Sequence, residues 1–130
     1  MTGTKITLEY EINASKKMLY PYLSTASGLA QWYADDVWID EDKIFHFVWD
    51  DDEHRAKMAA HRTNHHVKFE FIDDIIEDEN SAYIDMRIEE NELTQTVYIR
   101  VTDYSDMEDE EEVQELWDNL MHDLKEIVGG

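Results

Sequence analysis

The 130-residue sequence contains no cysteine, one proline and four glycines. Without cysteine the chain can form no disulfide and can use no thiol as a nucleophile. It contains no run of 18 apolar residues, and the first 15 residues lack a basic segment followed by an apolar run. The sequence therefore predicts neither a membrane span nor a secretory signal, and we expect a cytoplasmic protein.

Basic residues are also scarce. Eleven Lys and Arg residues stand against 32 Asp and Glu residues, which gives a formal net charge of −21. Such a field repels nucleic-acid phosphates and anionic lipid headgroups and attracts cations and basic proteins. We therefore predict no nucleic-acid partner and no membrane insertion, whereas a basic protein partner stays open. A solvated surface that keeps the protein soluble is the simpler explanation of the charge.

Hydrophobic residues make up 42% of the chain and follow regular periods. The length suits a single domain over residues 1–130. Alternation over residues 5–12 predicts a strand, and Ser15 offers an N-cap for a helix over 16–24. Pro21 lies inside that helix, so we expect it to be short or kinked. A second short helical segment is predicted over 27–33.

From residue 36 onwards the apolar residues alternate, which is typical of strands. Short segments separated by polar turns favour an antiparallel meander of six strands, over 36–40, 43–49, 55–61, 67–72, 81–88 and 96–101. Helical spacing returns at the C-terminus, with an apolar face formed by Val113, Leu116, Trp117, Leu120, Leu124 and Ile127. Ser105 and Glu108 predict a capping box before this helix, and Gly129 predicts its end.

Two segments resemble a known family. "INASKKMLYPYLSTASGLAQWYADDV" resembles the opening of the START-like SRPBCC superfamily, in which a "GLxxW" motif follows a helix, and Gly28, Leu29 and Trp32 match that motif. "ELWDNLMHDLKEIVG" is similar to the closing helix of the branch of homologues of the activator of the heat-shock protein 90 ATPase. The resemblance implies an α+β helix-grip fold. In that fold a seven-stranded antiparallel sheet wraps around a long C-terminal helix, and two short helices follow the first strand.

The resemblance also implies where a ligand would bind. Members of the superfamily bind lipids, hormones or polyketides, assist chaperones, or catalyse reactions in a cavity between the sheet and the long helix. Strand and helix periodicity then gives the cavity candidates Trp32, Phe45, Phe47, Trp49, Phe69, Phe71, Trp117, Leu120, Met121 and Leu124. These side chains either line an apolar pocket or fill the space as ordinary core.

The polar residues give weaker evidence for a functional site. If Thr63 and Asn64 form a two-residue turn, His61 and His66 become cross-strand neighbours, but a zinc site needs a third or fourth ligand. The acidic stretch from Asp50 lacks the spacing and the glycine of a calcium loop, so we predict a turn and no metal site. His46 alternates with two phenylalanines and should point away from the cavity.

Motifs for catalysis are missing: the sequence has no "GxSxG" and no glycine-rich phosphate loop. Asp85 and Arg87 share a predicted strand face with Tyr83 and could pair as ions or orient a ligand. We assign no catalytic residue and no cofactor. The leading hypothesis is a non-enzymatic domain that binds a hydrophobic small molecule or a lipid. The alternatives are a chaperone-linked interaction module with an acidic docking surface and a small cavity enzyme of the cyclase or hydratase kind.

Overall fold

The computed structural model describes residues 3–77, 80–107 and 109–129. The predicted order of strands and helices is confirmed. The elements are β1 (Thr4–Ile12), α1 (Lys16–Ser24), α2 (Ala26–Leu29), β2 (Asp36–Ile39), β3 (Phe45–Trp49), β4 (Asp52–Arg62), β5 (His66–Glu77), β6 (Asn80–Glu90), β7 (Val97–Ser105) and α3 (Glu110–Val128).

The seven strands form one antiparallel sheet in the order β1-β7-β6-β5-β4-β3-β2. Consecutive strands from β2 to β7 are neighbours, and β1 pairs with β7. We call the face that carries the buried apolar residues the inner face, and the opposite one the outer face. The sheet and the long helix α3 give the α+β helix-grip fold that the sequence predicts.

Alternating burial identifies the inner face strand by strand. In β6 the buried residues are Ala82, Ile84, Met86 and Ile88, and in β7 Val97, Ile99 and Val101 continue the same row. Helix α1 contributes Leu19 and Leu23, both fully buried, to the core above these strands. Each fully buried side chain of this size stabilises the fold by roughly 1.5–3 kcal/mol relative to an exposed one.

Helix α3 begins and ends with ordinary caps. The side chain of Asp109 accepts a hydrogen bond from the Glu111 amide at 2.9 Å, and Gly129 ends the helix with a left-handed φ of 96°. The predicted capping box was wrong in its starting residue, because Ser105 belongs to β7. Its partner Glu108 lies outside the described residues.

Two hydrogen bonds of 2.7 Å fix α3 on the sheet: Tyr10 Oη donates to Asp118, and Trp117 Nε1 donates to Asp103. The predicted apolar face of α3 is confirmed for Val113, Trp117 and Leu124, which are buried. Leu116 and Ile127 are instead exposed. The buried stripe is therefore narrower than predicted.

The "GLxxW" motif has a packing role. A Cβ on Gly28 would overlap the Pro21 carbonyl oxygen and lie 2.7 Å from Tyr22 Cα, so only glycine lets α2 approach α1 this closely. Trp32 Nε1 donates to the Tyr22 carbonyl at 2.8 Å. The motif thus holds α2 and the segment after it against α1. Helix α1 is short, as Pro21 predicts.

The acidic stretch after β3 is shorter than predicted. Only Asp50 and Asp51 form the turn, with φ values of 50° and 68°, and β4 already begins at Asp52. Asp35 supports the turn, since its Oδ2 accepts the Asp50 amide at 2.9 Å. Two left-handed residues suit a tight hairpin, and Asp tolerates that conformation better than most residues.

The expected pairing of His61 with His66 was wrong. Three residues, 63–65, connect β4 to β5, and Asn64 has a φ of 65°. Arg62 therefore pairs with His66, and His61 pairs with Val67. The additional turn residue shifts the register by one position, so His61 and His66 lie on opposite faces of the sheet.

Within residues 3–77, 80–107 and 109–129, no helix is both long enough and apolar enough to cross a membrane.

Candidate functional site

A cleft of about 840 Å³ lies between the inner face of the sheet and the middle of α3. Its walls come from the segment after α2, from strands β3 to β7 and from α3. Three small residues, Ala30, Ala34 and Ala82, line it where larger side chains would fill the space. The cleft is therefore a consequence of residue size as well as of the fold.

One wall of the cleft is aromatic. Tyr33 stacks on Trp117 with ring centroids 5.8 Å apart, and its ring meets the edge of Trp49 at 5.2 Å. Trp49 Nε1 donates to the Tyr33 carbonyl at 2.8 Å, which joins β3 to the segment after α2. The ring centroid of Trp32 lies 6.4 Å from that of Trp117. These contacts hold the rings in place and give the wall a fixed shape.

Asp103 lies among these apolar groups at the end of β7. It is only 9% exposed, and its Oδ2 accepts the 2.7 Å hydrogen bond from Trp117. Its other oxygen, Oδ1, has no hydrogen-bond partner among the residues that the structure describes. A buried carboxylate oxygen without a donor is costly, so this group requires an explanation.

Burial raises the pKa of Asp103, while the hydrogen bond from Trp117 opposes that shift. Ser105 also lowers the pKa of Asp103, although its hydroxyl is not in hydrogen-bond geometry with the carboxylate. Burial also raises the pKa of Tyr33 well above its usual value, and the charge of Asp103 adds to that effect. The inner end of the cleft is therefore a weakly solvated region that disfavours negative charge.

A second polar pair lies towards β4 and β5. His54 Nδ1 and Asp74 Oδ2 are 3.1 Å apart, and both residues line the cleft. Trp49 contacts the His54 ring at 5.4 Å. Two strands separate β4 from β7 in the sheet, so His54 lies roughly 14 Å along the sheet from Asp103, and Asp74 on β5 lies about 10 Å along the sheet from it.

The charges that line the cleft are of one sign. Its carboxylates belong to Asp35, Asp74, Asp103, Asp106 and Asp123. Among the described lining residues there is no Lys and no Arg. The cleft thus combines an aromatic interior with negative charge at its floor and around its opening.

The ten predicted cavity residues fall into two groups. Trp32, Trp49, Phe71, Trp117 and Leu120 line the cleft. The remaining five pack in the core, where they are buried: Phe45, Phe47, Phe69, Met121 and Leu124. The structure therefore brings the first five together around open space and places the others in a filled part of the interior.

Sequence reasoning missed Tyr33, Asp103 and His54. Asp103 follows Val101 by two positions, so continuing the alternation of β7 by one step would have placed it on the inner face. His54 was missed because the acidic stretch predicted a turn as far as residue 55. Tyr33 lies outside the regular elements, and its central place in the aromatic cluster has no simple sequence signal.

The other polar candidates lie on the outer face. Asp85 Oδ1 is 2.9 Å from His66 Nε2 and 3.5 Å from Arg87 Nε, so the pair expected from the sequence exists but does not reach the cleft. His46 also points away from the cleft, as predicted, yet it is buried. Its ring stacks on Trp38 at 3.7 Å, and its Nε2 lies 2.8 Å from Asp40.

Within residues 3–77, 80–107 and 109–129, no three His, Asp or Glu side chains are grouped so that they could hold a metal ion. The donors in the cleft are separate: Asp103 at its floor and the His54–Asp74 pair towards β4.

Comparison with solved structures shows the same fold in other proteins. An Aha1 dimer from Colwellia psychrerythraea, solved in solution, superimposes with a TM-score of 0.76 at 19% identity, covering 96% of each chain. Protein BH1534 from Bacillus halodurans gives 0.73 at 19% identity, covering 98% of this chain and 99% of that one. CalU16 from Micromonospora echinospora gives 0.69 at 10% identity, covering 98% and 76%.

Comparison with curated proteins gave no significant match. The sequence profile of the START-like superfamily domain, however, matches residues 1–130. The fold, the "GLxxW" packing and this match agree, and the chain belongs to the START-like superfamily.

Proposed function

We propose that the protein is a non-enzymatic binding domain that holds a hydrophobic small molecule or a lipid in the cleft under α3. The observation that carries this proposal is the open, aromatic cleft of about 840 Å³. Ligand pockets typically measure about 300–1,000 Å³ and are lined mostly by apolar and aromatic side chains with a few polar groups. The cleft has that size and that composition.

The position of the polar groups favours binding over catalysis. An acid and a base that act on one bond must both lie within hydrogen-bond reach of the reacting atoms. Asp103 and His54 lie on strands three spacings apart, which is roughly 14 Å along the sheet. A single small substrate would not contact both groups at one reacting centre.

The direct test is to incubate the protein with a mixed lipid extract and to analyse retained species by native mass spectrometry. Ala82→Phe fills the cleft at its floor, and Ala59→Phe makes the same change at an exposed position of β4. We expect the wild type and Ala59→Phe to retain a ligand and Ala82→Phe to lose at least about 90% of it, since a filled site excludes the ligand.

Retention by a folded Ala82→Phe variant at the wild-type level would contradict the proposal, as would the absence of any retained species from the wild type. Folding is checked by far-ultraviolet circular dichroism. If Ala82→Phe does not fold, Ala30→Phe at the opposite wall of the cleft takes its place.

Acidic residues on the exposed side of α3 support a second candidate function, docking of a basic protein partner. Glu111, Glu115, Asp118 and Glu126 are exposed along this helix. Exposed charges separated by more than about 8 Å are screened at physiological salt. Docking therefore predicts partner capture that weakens between 50 mM and 500 mM salt, and capture that does not change would contradict it.

A further inference from the structure

We propose that the ligand of the cleft is a hydrophobic cation, such as an alkyl or aryl amine whose ammonium group pairs with Asp103. This inference rests on the proposed function, because it concerns the same cleft. It narrows the ligand from any hydrophobic molecule to one that carries a positive nitrogen at the end of an apolar body.

One oxygen of the Asp103 carboxylate is unpaired among the described residues. Asp103 is the floor residue of the cleft, is 9% exposed, and has an Oδ1 without a partner among the described residues. Ser105, two positions further on the same strand face, also has a buried hydroxyl oxygen without a partner. The Ser105 hydroxyl is itself a donor but is not in hydrogen-bond geometry with the carboxylate, so Oδ1 is the acceptor that lacks a donor, and an ammonium group supplies three. The hydrogen bond to a charged donor is among the stronger ones that a protein forms.

An aromatic wall lies beside this carboxylate. The indole of Trp117 donates to Asp103 through its in-plane Nε1–H, so the carboxylate lies at the edge of that ring. Tyr33 stacks on the same indole at 5.8 Å, and Trp49 follows Tyr33 at 5.2 Å. Indole and phenol rings attract cations through their faces, and the attraction increases where water is excluded. The apolar body of the ligand would extend along these rings.

The formal charges around the cleft are negative. Four further carboxylates line the cleft, from Asp35, Asp74, Asp106 and Asp123, and the described lining has no Lys or Arg to balance them. The whole chain, with these carboxylates included, carries a formal net charge of −21. A fatty acid or an anionic phospholipid would bring its charge into this field without a counter-ion, whereas an amine is attracted to it.

The test compares three probes with the same ten-carbon chain: decylammonium, decanol and decanoate. Binding is measured by isothermal titration calorimetry at pH 7.5 and 150 mM salt, with each probe below its micelle concentration. We expect decylammonium to bind at least about tenfold more tightly than decanol, and decanoate to bind more weakly than both. A tenfold difference corresponds to one charge-assisted contact.

Two matched variants separate the cleft carboxylate from the general negative field. Asp103→Asn removes the charge at the floor, and Asp42→Asn removes one charge from the exposed turn between β2 and β3. We expect Asp103→Asn to lose about tenfold in affinity for decylammonium while decanol affinity changes less than about twofold. Asp42→Asn should keep the wild-type preference.

The outcomes distinguish the two proposals. Binding of decanol or decanoate at least as tight as that of decylammonium would overturn the cation proposal and leave the binding cleft standing. The same holds if Asp103→Asn retains the full preference for decylammonium, since the attraction would then be the general field. Failure of all three probes, and of 2-naphthylmethylamine as a bulkier aromatic cation, to bind would overturn both proposals.

Discussion

His46 and Asp103 are the two buried polar side chains of the described residues, and they lie on opposite faces of the same sheet. His46 is enclosed on the outer face: Trp38 covers its ring, Asp40 lies 2.8 Å from Nε2 and Glu53 lies 3.4 Å from Nδ1. Asp103 has one partner, Trp117, and an oxygen with none. His46 has a carboxylate near each ring nitrogen, but its Nδ1, like Asp103 Oδ1, has no hydrogen-bond partner among the described residues.

The pKa directions distinguish the two sites. The hydrogen bond from His46, with further ones from backbone amides, holds the pKa of Asp40 below its usual value, whereas burial raises that of Asp103. The charged form of Asp40 therefore stabilises the folded state, and the charged form of Asp103 destabilises it. We infer that the outer-face cluster (His46, Trp38, Asp40 and Glu53) stabilises the edge of the sheet and that the charge of Asp103 does not stabilise the fold.

The largest effect on stability is expected at His46. His46→Ala removes the ring under Trp38 and leaves Asp40 without its side-chain partner, so the free energy of unfolding should fall by about 3 kcal/mol. Urea denaturation measures this change. His61→Ala, at an exposed position of β4, should change the value by less than about 0.5 kcal/mol. A loss below about 1 kcal/mol for His46→Ala would show that the enclosure is not stabilising.

Trp117→Phe tests the one partner that Asp103 has. It keeps an aromatic ring but removes the Nε1–H donor, so unfolding should become easier by about 2 kcal/mol at pH 8. The pKa of Asp103 should rise further, and the loss should shrink at pH 4, where the protonated acid needs the donor less. Trp49→Phe also removes an indole donor, to the Tyr33 carbonyl, and its loss should not depend on pH. Equal pH dependence of the two variants would contradict a special role for Asp103.

Trp38→Ala tests the cover of the outer-face cluster. Trp38 is 44% exposed, and so is its neighbour Ile39. Loss of the stacked ring should lower the free energy of unfolding by about 1.5 kcal/mol, and Ile39→Ala should lower it by about half as much. Thermal melting of the two variants gives the comparison. Equal losses would mean that the stacking on His46 contributes nothing beyond burial.

Among these substitutions, Asp103→Asn should change the free energy of unfolding least, and it should raise it. Because burial raises the pKa of Asp103 above its usual 3.8, the folded state binds more protons than the unfolded state between these two pKa values. Stability from this group therefore falls as the pH rises through that window. The variant removes this loss, so it should be about 1 kcal/mol more stable than wild type at pH 7.5, with the gain disappearing below the usual pKa.

Thermal unfolding between pH 3.5 and pH 8 measures this change. Asp42→Asn serves as the control, because it makes the same change at an exposed turn and should show no such pH dependence. A folded Asp103→Asn variant less stable than wild type at pH 7.5 would show that the charged carboxylate stabilises the fold and would break the contrast with His46.

Periodicity predicted the strands and helices, and the family resemblance implied how they assemble, but the polar floor of the cleft was missed. Large apolar groups such as Phe47 and Val101 mark the inner face clearly. Asp103 interrupts that pattern, so the predicted strand ended at Val101. The functional candidate was missed for the same reason that makes it notable: it is a charge where the pattern calls for an apolar side chain.

The outer-face cluster shows a different limit. Alternation correctly directs His46 away from the core, but its burial depends on the register that places Trp38 directly opposite. The β4–β5 connection shows the same limit, because one more turn residue moved His61 away from His66. Register depends on turn geometry and on contacts between distant residues, and one sequence alone gives little information about either.

The pairing of β1 with β7 also determines when the cleft can form. Ile6 lies opposite Asp103 in the sheet, and the wall residue Trp117 follows later still. A chain that folds during synthesis can build the β2–β6 meander early, because its pairings are between neighbours in sequence. The floor of the cleft must wait for both ends of the chain. We therefore expect the binding site to be the last part of the molecule to form on the ribosome and the first to open when the two ends separate.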